Sequence, residues 1–286
     1  MATRESMRAI DEAHRLAQAR TAAVAATVAA RAWRQVDPQR ISATSPAFVN
    51  TALAAIESSR RRSVDLAGAY AQRTRLEQDP GLPRLTLPPP PPFNVEQVRA
   101  SLTYLGPVSA GRQVASGLAV PTVEEDDDLE VPPARATPKT VDRIMERAAI
   151  QIVGAAIRHV QNGGRFMVDA VVESDQKAVG YIRITRDNPC SFCAMLASRG
   201  PVYKESSFSR SDPRFDGPGN HKVHDSCGCT IRPLYSKSRF AMPENNQKYL
   251  ELYETATRGY RGKDAQNAFR RAFERPSLHL GDPEDL

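Results

Sequence analysis

The sequence predicts an α+β chain that is mostly α, with long N-terminal helices, then a C-terminal helical domain carrying a small β element around a Cys/His zinc site. Three observations predict it. Apolar residues recur at helical spacing over most of the chain. Strand signals are confined to short stretches, the alternating 181–185 and the small strand 230–235. All four cysteines fall between residues 190 and 229.

The first helix occupies residues 1–35, with Met7, Ile10, Ala13, Ala17, Val24, Val28 and Ala32 three, four or seven apart. Trp33 and Val36 anchor its end and Asp37-Pro38 stops it. Ser45-Pro46 reads as an N-cap followed by proline at the first helical position. The second helix runs through Val49, Leu53, Ile56, Val64, Ala67 and Tyr70 to Asp79-Pro80. Together they predict an antiparallel hairpin over 1–79, an N-terminal arm with a basic face. Its one basic run, Arg60-Arg61-Arg62, is the candidate contact to DNA or a protein partner, and a solvated face is the plainer alternative.

Residues 80–93 contain five consecutive prolines, 88–92, and read as an extended polyproline linker. Asn94 with Gln97 forms a capping box for a helix bearing Val95, Val98, Leu102 and Leu105, which Gly106-Pro107 ends. It lies in a short helical segment, 94–119. Residues 120–136 form an acidic linker, a mobile loop on composition. Thr137-Pro138 opens the strongest helix, with Val141, Ile144, Met145, Ala148, Ile152, Ala155 and Ala156 on one face and Asn162-Gly163-Gly164 as its terminator. Residues 165–179 fit helix or strand. Residues 243–258 and 264–274 are two closing helices. A zinc-binding domain is thus expected over 137–275, with a tail at 276–286.

Of the 286 residues, 41% are apolar and 25% charged, and 32 of the 39 basic residues are arginine. Arginine suits phosphate contacts, but alanine is abundant too, and high-GC coding explains both. The charge is split. Residues 1–121 carry +6, residues 122–134 carry −6 and residues 135–286 carry +6. This arrangement has no concentrated patch for sequence-specific nucleic-acid readout. The longest uncharged alanine-rich run, 21–30, is too short to span a bilayer. The N-terminus has no hydrophobic signal region. Neither a secreted nor a membrane-spanning protein is expected.

The cysteines form two pairs, Cys190-x-x-Cys193 and Cys227-Gly228-Cys229, with His224 three residues before Cys227 and His221 three before that. A two-residue gap lets two thiolates converge on one ion, and thiolates with imidazole select zinc. Cys190 and Cys193 are the firmest ligands; His224, Cys227 and Cys229 compete for the other two places. His221 reads as a loop histidine or as a support outside the ligand set. Three other readings compete: two disulfides, a thioredoxin-like redox pair, and a nucleophilic cysteine using His224 and Asp225. The turn-rich gap between Cys193 and Cys227 is too irregular to fold without a clamp. Zinc would close it and set strand 230–235 against 181–185.

"RITRDNPCSFCAMLASRGPVY" and "HDSCGCTIRPLY" resemble the phage Mu F-like (MuF) minor head proteins. The shared pattern is an aspartate before a CxxC, a variable loop and HxxCxC: here Asp187, Cys190, Cys193, His224, Cys227 and Cys229. Asp187 is the pattern's candidate support for the ligands. The stretches "AAIRHVQNGGR" and "NAFRRAF" extend the likeness, mainly over residues 138–275, to portal-adjacent proteins of actinobacterial tailed phages. The resemblance implies a minor capsid or head-morphogenesis protein with structural zinc, located in the virion and, during assembly, in the host cytoplasm. The implied partners are the portal protein, the major capsid protein or scaffold, and packaged double-stranded DNA; no membrane is involved. Such proteins are often labelled capsid maturation proteases. The chain has no G-x-S-x-G or HExxH motif, so no catalytic residue is assigned. A structural role is favoured over the protease alternative, and a non-specific DNA-binding virion protein is the third reading.

Overall fold

Thr3 opens the first helix with a reciprocal cap: its hydroxyl accepts from the Ser6 N–H, and the Ser6 hydroxyl accepts from the Thr3 N–H. In the computed structural model, which describes residues 3–116, 138–203, 227–236 and 242–274, this helix, α1, spans Arg4–Trp33. Helix α2 spans Ile41–Gln78 and so begins a turn before the expected Ser45-Pro46 start. The reason lies in the preceding turn. Asp37 accepts from the Gln39 N–H at 2.9 Å and Thr44 accepts from the Asp37 N–H at 3.1 Å, which sets the helical path by Ile41. Pro46 then removes one hydrogen bond close to the helix end, where the ladder is least complete.

Helix α5 spans Pro138–Ser174 and completes a three-helix bundle, antiparallel to α1 and parallel to α2. The hairpin expected over 1–79 therefore does not stand alone. One apolar core joins Trp33, Phe48 and Ile56 to Ile144, Ile152 and Val160. A second joins Met7, Ile10 and Tyr70 to Val168, Val171 and Val172. The Trp33 indole N–H, buried with its ring, donates to the Met145 carbonyl at 2.9 Å.

The expected stop at Asn162-Gly163-Gly164 is overturned, because α5 runs straight through it. These glycines lie where the helices cross. A Cβ on Gly163 would sit 2.7 Å from Arg60 Cγ, and one on Gly164 would sit 2.6 Å from Gln18 Nε2. Their helical cost is offset by close backbone approach. A buried polar layer fills the crossing. Gln18 Nε2 donates to the Ser63 carbonyl at 2.9 Å, the Ser63 hydroxyl donates to Gln18 Oε1 at 2.5 Å, and the Gly164 N–H donates to Ser63 Oγ at 3.0 Å.

The proline-rich linker is extended, as composition predicts, but it is laid along α2 as a strap. Arg75 donates to the Pro83 carbonyl, the Leu85 N–H donates to Gln72 Oε1 at 2.6 Å, and Arg60 donates to the Pro92 carbonyl at 3.1 Å. Leu82 and Leu85 pack on the second core and Phe93 on the first. Asn94 then caps α3, Val95–Thr103, by accepting from the Gln97 N–H at 2.9 Å. Gly106-Pro107 does not end the helical path. A π-helical turn, Tyr104–Val108, absorbs the proline and passes into α4, Ser109–Ala115. The expected acidic linker lies outside the described residues, apart from its surroundings at α4 and α5.

Past α5, strand β1, Gly180–Ile184, is followed by α6, Ser191–Ser198, then β2, Val202–Tyr203, and β3, Thr230–Leu234. The antiparallel sheet has the order β2-β1-β3, with Ile182 opposite Arg232. Pro233 is tolerated because β3 is an edge strand. Gln78 of α2 fastens that edge, donating to the Pro233 carbonyl at 2.8 Å and accepting from the Tyr235 N–H at 3.1 Å. The closing helices α7, Glu244–Ala256, and α8, Gly262–Phe273, form with α6 a small core around Met195, Tyr249 and Phe269. Asn246, 1% exposed, ties α7 to the Arg183 and Ala197 carbonyls at 2.9 and 3.1 Å. Among the described residues no helix is long and apolar enough to cross a membrane.

Candidate metal centre

The chain positions its cysteines with three elements. Cys190 is the N-cap of α6, where its sulfur accepts from the Cys193 N–H at 3.4 Å. One turn later Cys193 points inward from the same helix, and Cys227 and Cys229 enter on the approach to β3. Cys193, Cys227 and Cys229 are each at most 2% exposed, and their sulfurs lie within 4.8 Å of one another. None of the four cysteines is in a disulfide.

These three cysteines could hold a metal ion. A tetrahedral zinc with Zn–S bonds of about 2.3 Å needs sulfurs about 3.8 Å apart, and Cys193 and Cys227 stand at 3.5 Å. The donor set fits a soft cation: three buried sulfurs, with a fourth, half-buried, on Cys190 packed against them. The crowding also separates the thiols electrically. Cys227 is pulled far below the ordinary thiol range, chiefly because Cys193 and then Cys229 donate hydrogen bonds to its sulfur, with Arg165 adding a positive field. Cys193 is pushed up, first by sharing its proton with Cys227.

Arg165, on α5, lies behind the cysteines. It donates through Nε to the Cys229 carbonyl at 2.9 Å and through Nη2 to the Cys227 carbonyl at 2.6 Å. Asn162 and Gln161 side chains accept from Nη1 and Nη2 at 2.8 and 3.1 Å. Burial pulls its pKa down, and the field of Cys227 opposes that. Sequence reasoning passed over Arg165 because it looked like the residue after a helix stop. The signal was an arginine directly after Asn-Gly-Gly, on the stretch of α5 between Val160 and Val168 that faces the core.

The other expected residues fall differently. His221 and His224 lie outside the described residues. Asp187, expected beside the ligands, is instead turned to solvent, 88% exposed, with its carboxylate 3.9 Å from Arg15. Of the basic run, Arg61 pairs with Glu57 and Arg62 is exposed. Arg60 is buried, donating to the His159 and Pro92 carbonyls and lying over the Phe93 and Phe166 rings at 5.7 and 5.5 Å. It holds the strap to α5 and is no surface cation.

Two buried ion pairs lie around the second core: one fastens β3 to α1, the other fastens α2 to the end of α5. Arg232 meets Asp11 at 2.8 Å, where Asp11 also accepts from the Tyr70 hydroxyl at 2.6 Å. Arg75 meets Asp175 at 2.8 Å. Beside the first pair, His14 stacks on Tyr70 with ring centroids 4.0 Å apart, and burial pulls its pKa down to about 4.

A family model described as VG15 protein covers residues 1–256, most of the chain. No curated protein matches and no solved structure matches.

Proposed function

We propose, from the premise that the chain belongs to the VG15 protein family, a phage virion-associated family, that it is a minor capsid or head-morphogenesis protein of a tailed phage. In this reading it sits at the portal vertex or on the inner face of the head, in contact with portal and with capsid or scaffold protein. The observation that carries virion association is the family match over residues 1–256. The resemblance of the cysteine motifs to MuF minor head proteins supports the finer role. The formal net charge of +6 attracts packaged DNA without sequence preference, so any contact weakens as salt rises.

We assign the cysteine centre a structural zinc ion, held by Cys193, Cys227 and Cys229, with Cys190 or His224 as the fourth ligand. The buried sulfurs favour this over nucleophilic catalysis, because a nucleophile must be reached by substrate whereas a structural ligand is best kept dry. When bound, zinc supplies a cross-link between α6 and the start of β3; the residues themselves shape and shield it.

Co-expression with the neighbouring portal, scaffold and capsid proteins tests the role. The expected result is co-purification with portal-containing particles, about one zinc per chain, and capsid and scaffold chains that keep their encoded termini. Absence from the particles overturns the assignment. Shortened scaffold or capsid chains that depend on this protein would establish the protease reading in its place.

A further inference from the structure

The fold buries Arg60, Arg75 and Arg232 and half-buries Arg165, and they do not share one solution to the problem of a charge drawn out of water. Arg75 and Arg232 each meet a carboxylate at 2.8 Å. Arg60 lies over two aromatic rings. Arg165 has neither. Its three nitrogens spend four hydrogen bonds on neutral acceptors, the Cys227 and Cys229 carbonyls and the Asn162 and Gln161 side chains. Among the described residues no carboxylate pairs with it. Among the described residues, the groups that set a negative field on it are the sulfurs of Cys193, Cys227 and Cys229. A guanidinium drawn even partly out of water without a counter-charge is unfavourable.

We propose that Arg165 is the positioning residue and the charge partner of the cysteine centre, an inference that rests on reading that centre as a thiolate-bound divalent ion. Two physical roles are combined in one side chain. The first is geometric. The guanidinium fork grips the carbonyls on both sides of Gly228, so the Cys-Gly-Cys turn is held with both sulfurs facing Cys193. Lysine, a single point donor, cannot make that fork. The second is electrostatic. Zinc with four thiolates carries a net charge of about −2, and with three thiolates and a neutral histidine about −1. The fixed positive charge of Arg165 offsets one unit beside three cysteines at most 2% exposed, where water screens little. The position is itself arranged by the bundle. Gly163 and Gly164 bring α5 close against α2 and α1, and Gln161 and Asn162, one turn back on the same helix, hold the guanidinium. The centre is thus coupled to the bundle through one residue of α5.

The test uses full-length protein as wild type, Arg165→Met, Arg165→Lys and Asn162→Ala. Three quantities are read: zinc per chain by elemental mass spectrometry, the rate of zinc transfer to a chromogenic chelator, and the thiolate-to-cobalt charge-transfer band after cobalt(II) replacement. Helical circular dichroism reports the fold. The expected result is about 10- to 100-fold faster zinc release from Arg165→Met than from wild type, with a shifted cobalt band. Arg165→Lys should fall between, because charge is kept and the fork is lost. Folded Arg165→Met that releases zinc at the wild-type rate overturns the proposal, and Arg165→Lys at the wild-type rate overturns its geometric half. If Arg165→Met does not fold, Asn162→Ala decides: release about threefold faster supports the proposal, and an unchanged rate overturns it. Wild-type protein purified without metal overturns the metal reading and this inference with it, whereas zinc-loaded wild type with insensitive variants overturns the inference alone.

Discussion

The helical bundle and the cysteine-bearing cap solve the same problem with different materials. The bundle of α1, α2 and α5 has two continuous apolar cores, the second shared with Ile231 of β3, with a polar crossing between them. The cap, built from the sheet and α6 to α8, has a small core around Met195, Tyr249 and Phe269 and a separate knot of thiols. A long amphipathic helix buries apolar area along its whole length. The short strands and the eight-residue α6 cannot do so, and short elements need a cross-link or a partner. The bundle therefore should tolerate loss of metal, and the cap should tolerate changes at the helix crossing only as long as the bundle holds.

The largest effect is expected at Cys227→Ser, which removes the central sulfur of the cluster. Metal binding in structural zinc sites is worth on the order of 10 kcal/mol, so the cap should open while the bundle stays folded. Hydrogen-exchange mass spectrometry should show about 100-fold faster exchange or more in β1 and α6, with the centres of α1 and α2 unchanged. Bundle amides that lose protection together with the cap would show that the two regions are one cooperative unit. Chelator treatment of the wild type should give the same pattern.

Next in size is Gly164→Val at the crossing. Its side chain must displace Gln18, and overpacking of this kind costs about 3 kcal/mol. The expected outcome is a clearly lower melting temperature with zinc content kept. Gly111→Ala in α4 is the matched control, since a Cβ there meets nothing within 4 Å. It should be neutral or stabilise by up to about 1 kcal/mol. Equal melting temperatures for the two variants would remove the close-approach explanation of the glycines.

The smallest effect is a pair of opposed titrations in and beside the second core. His14 is held down to about 4 by burial. From pH 6.5 to 4 the unfolded chain binds a proton that the folded chain refuses, so stability falls as pH falls. Asp169 is pushed up to about 7, first by burial and then by Glu173. Between its ordinary carboxylate value and 7 the folded chain keeps a proton that the unfolded chain releases, so stability falls as pH rises. Each change amounts to about 2 kcal/mol between pH 5 and 7, with opposite sign. Melts of the wild type should therefore vary little over that window. His14→Gln should become less stable towards pH 7, and Asp169→Asn less stable towards pH 5. Parallel profiles for the two variants would exclude the compensation.

Legibility differed by element for physical reasons. Periodicity alone located α1, α2, α5, α7 and α8, because amphipathic helices repeat one pattern along their length. Strand pairing of 181–185 with 230–235 followed from the alternation of the first and the cysteine pairs that bring the second beside it. Local punctuation misled where tertiary contact overrode it. Gly163-Gly164 looked like a stop and is a crossing; Gly106-Pro107 looked like an end and is a π turn; Ser45-Pro46 looked like a cap and lies inside α2. The polyproline stretch looked like a spacer, yet its carbonyls face Arg60 and Arg75 on α2. The four cysteines were legible as one cluster because their spacing lets thiols meet, but spacing put Cys190 and Cys193 first, whereas the buried group is Cys193, Cys227 and Cys229, with Cys190 half-buried at its edge. Arg165 was not legible, because it acts on backbone carbonyls from a helix more than sixty residues away.

By itself the sequence determined the mostly helical class, the two strands and the cysteine set, since each depends on patterns written within a few turns of chain. Only the tertiary structure decided that α5 joins the N-terminal hairpin in one bundle. The same holds for the glycines that bring helices together, the burial of Arg60 and the support of Arg165 behind the thiols. Those outcomes depend on which surfaces meet at a distance, and a single chain of residue types does not record the meeting.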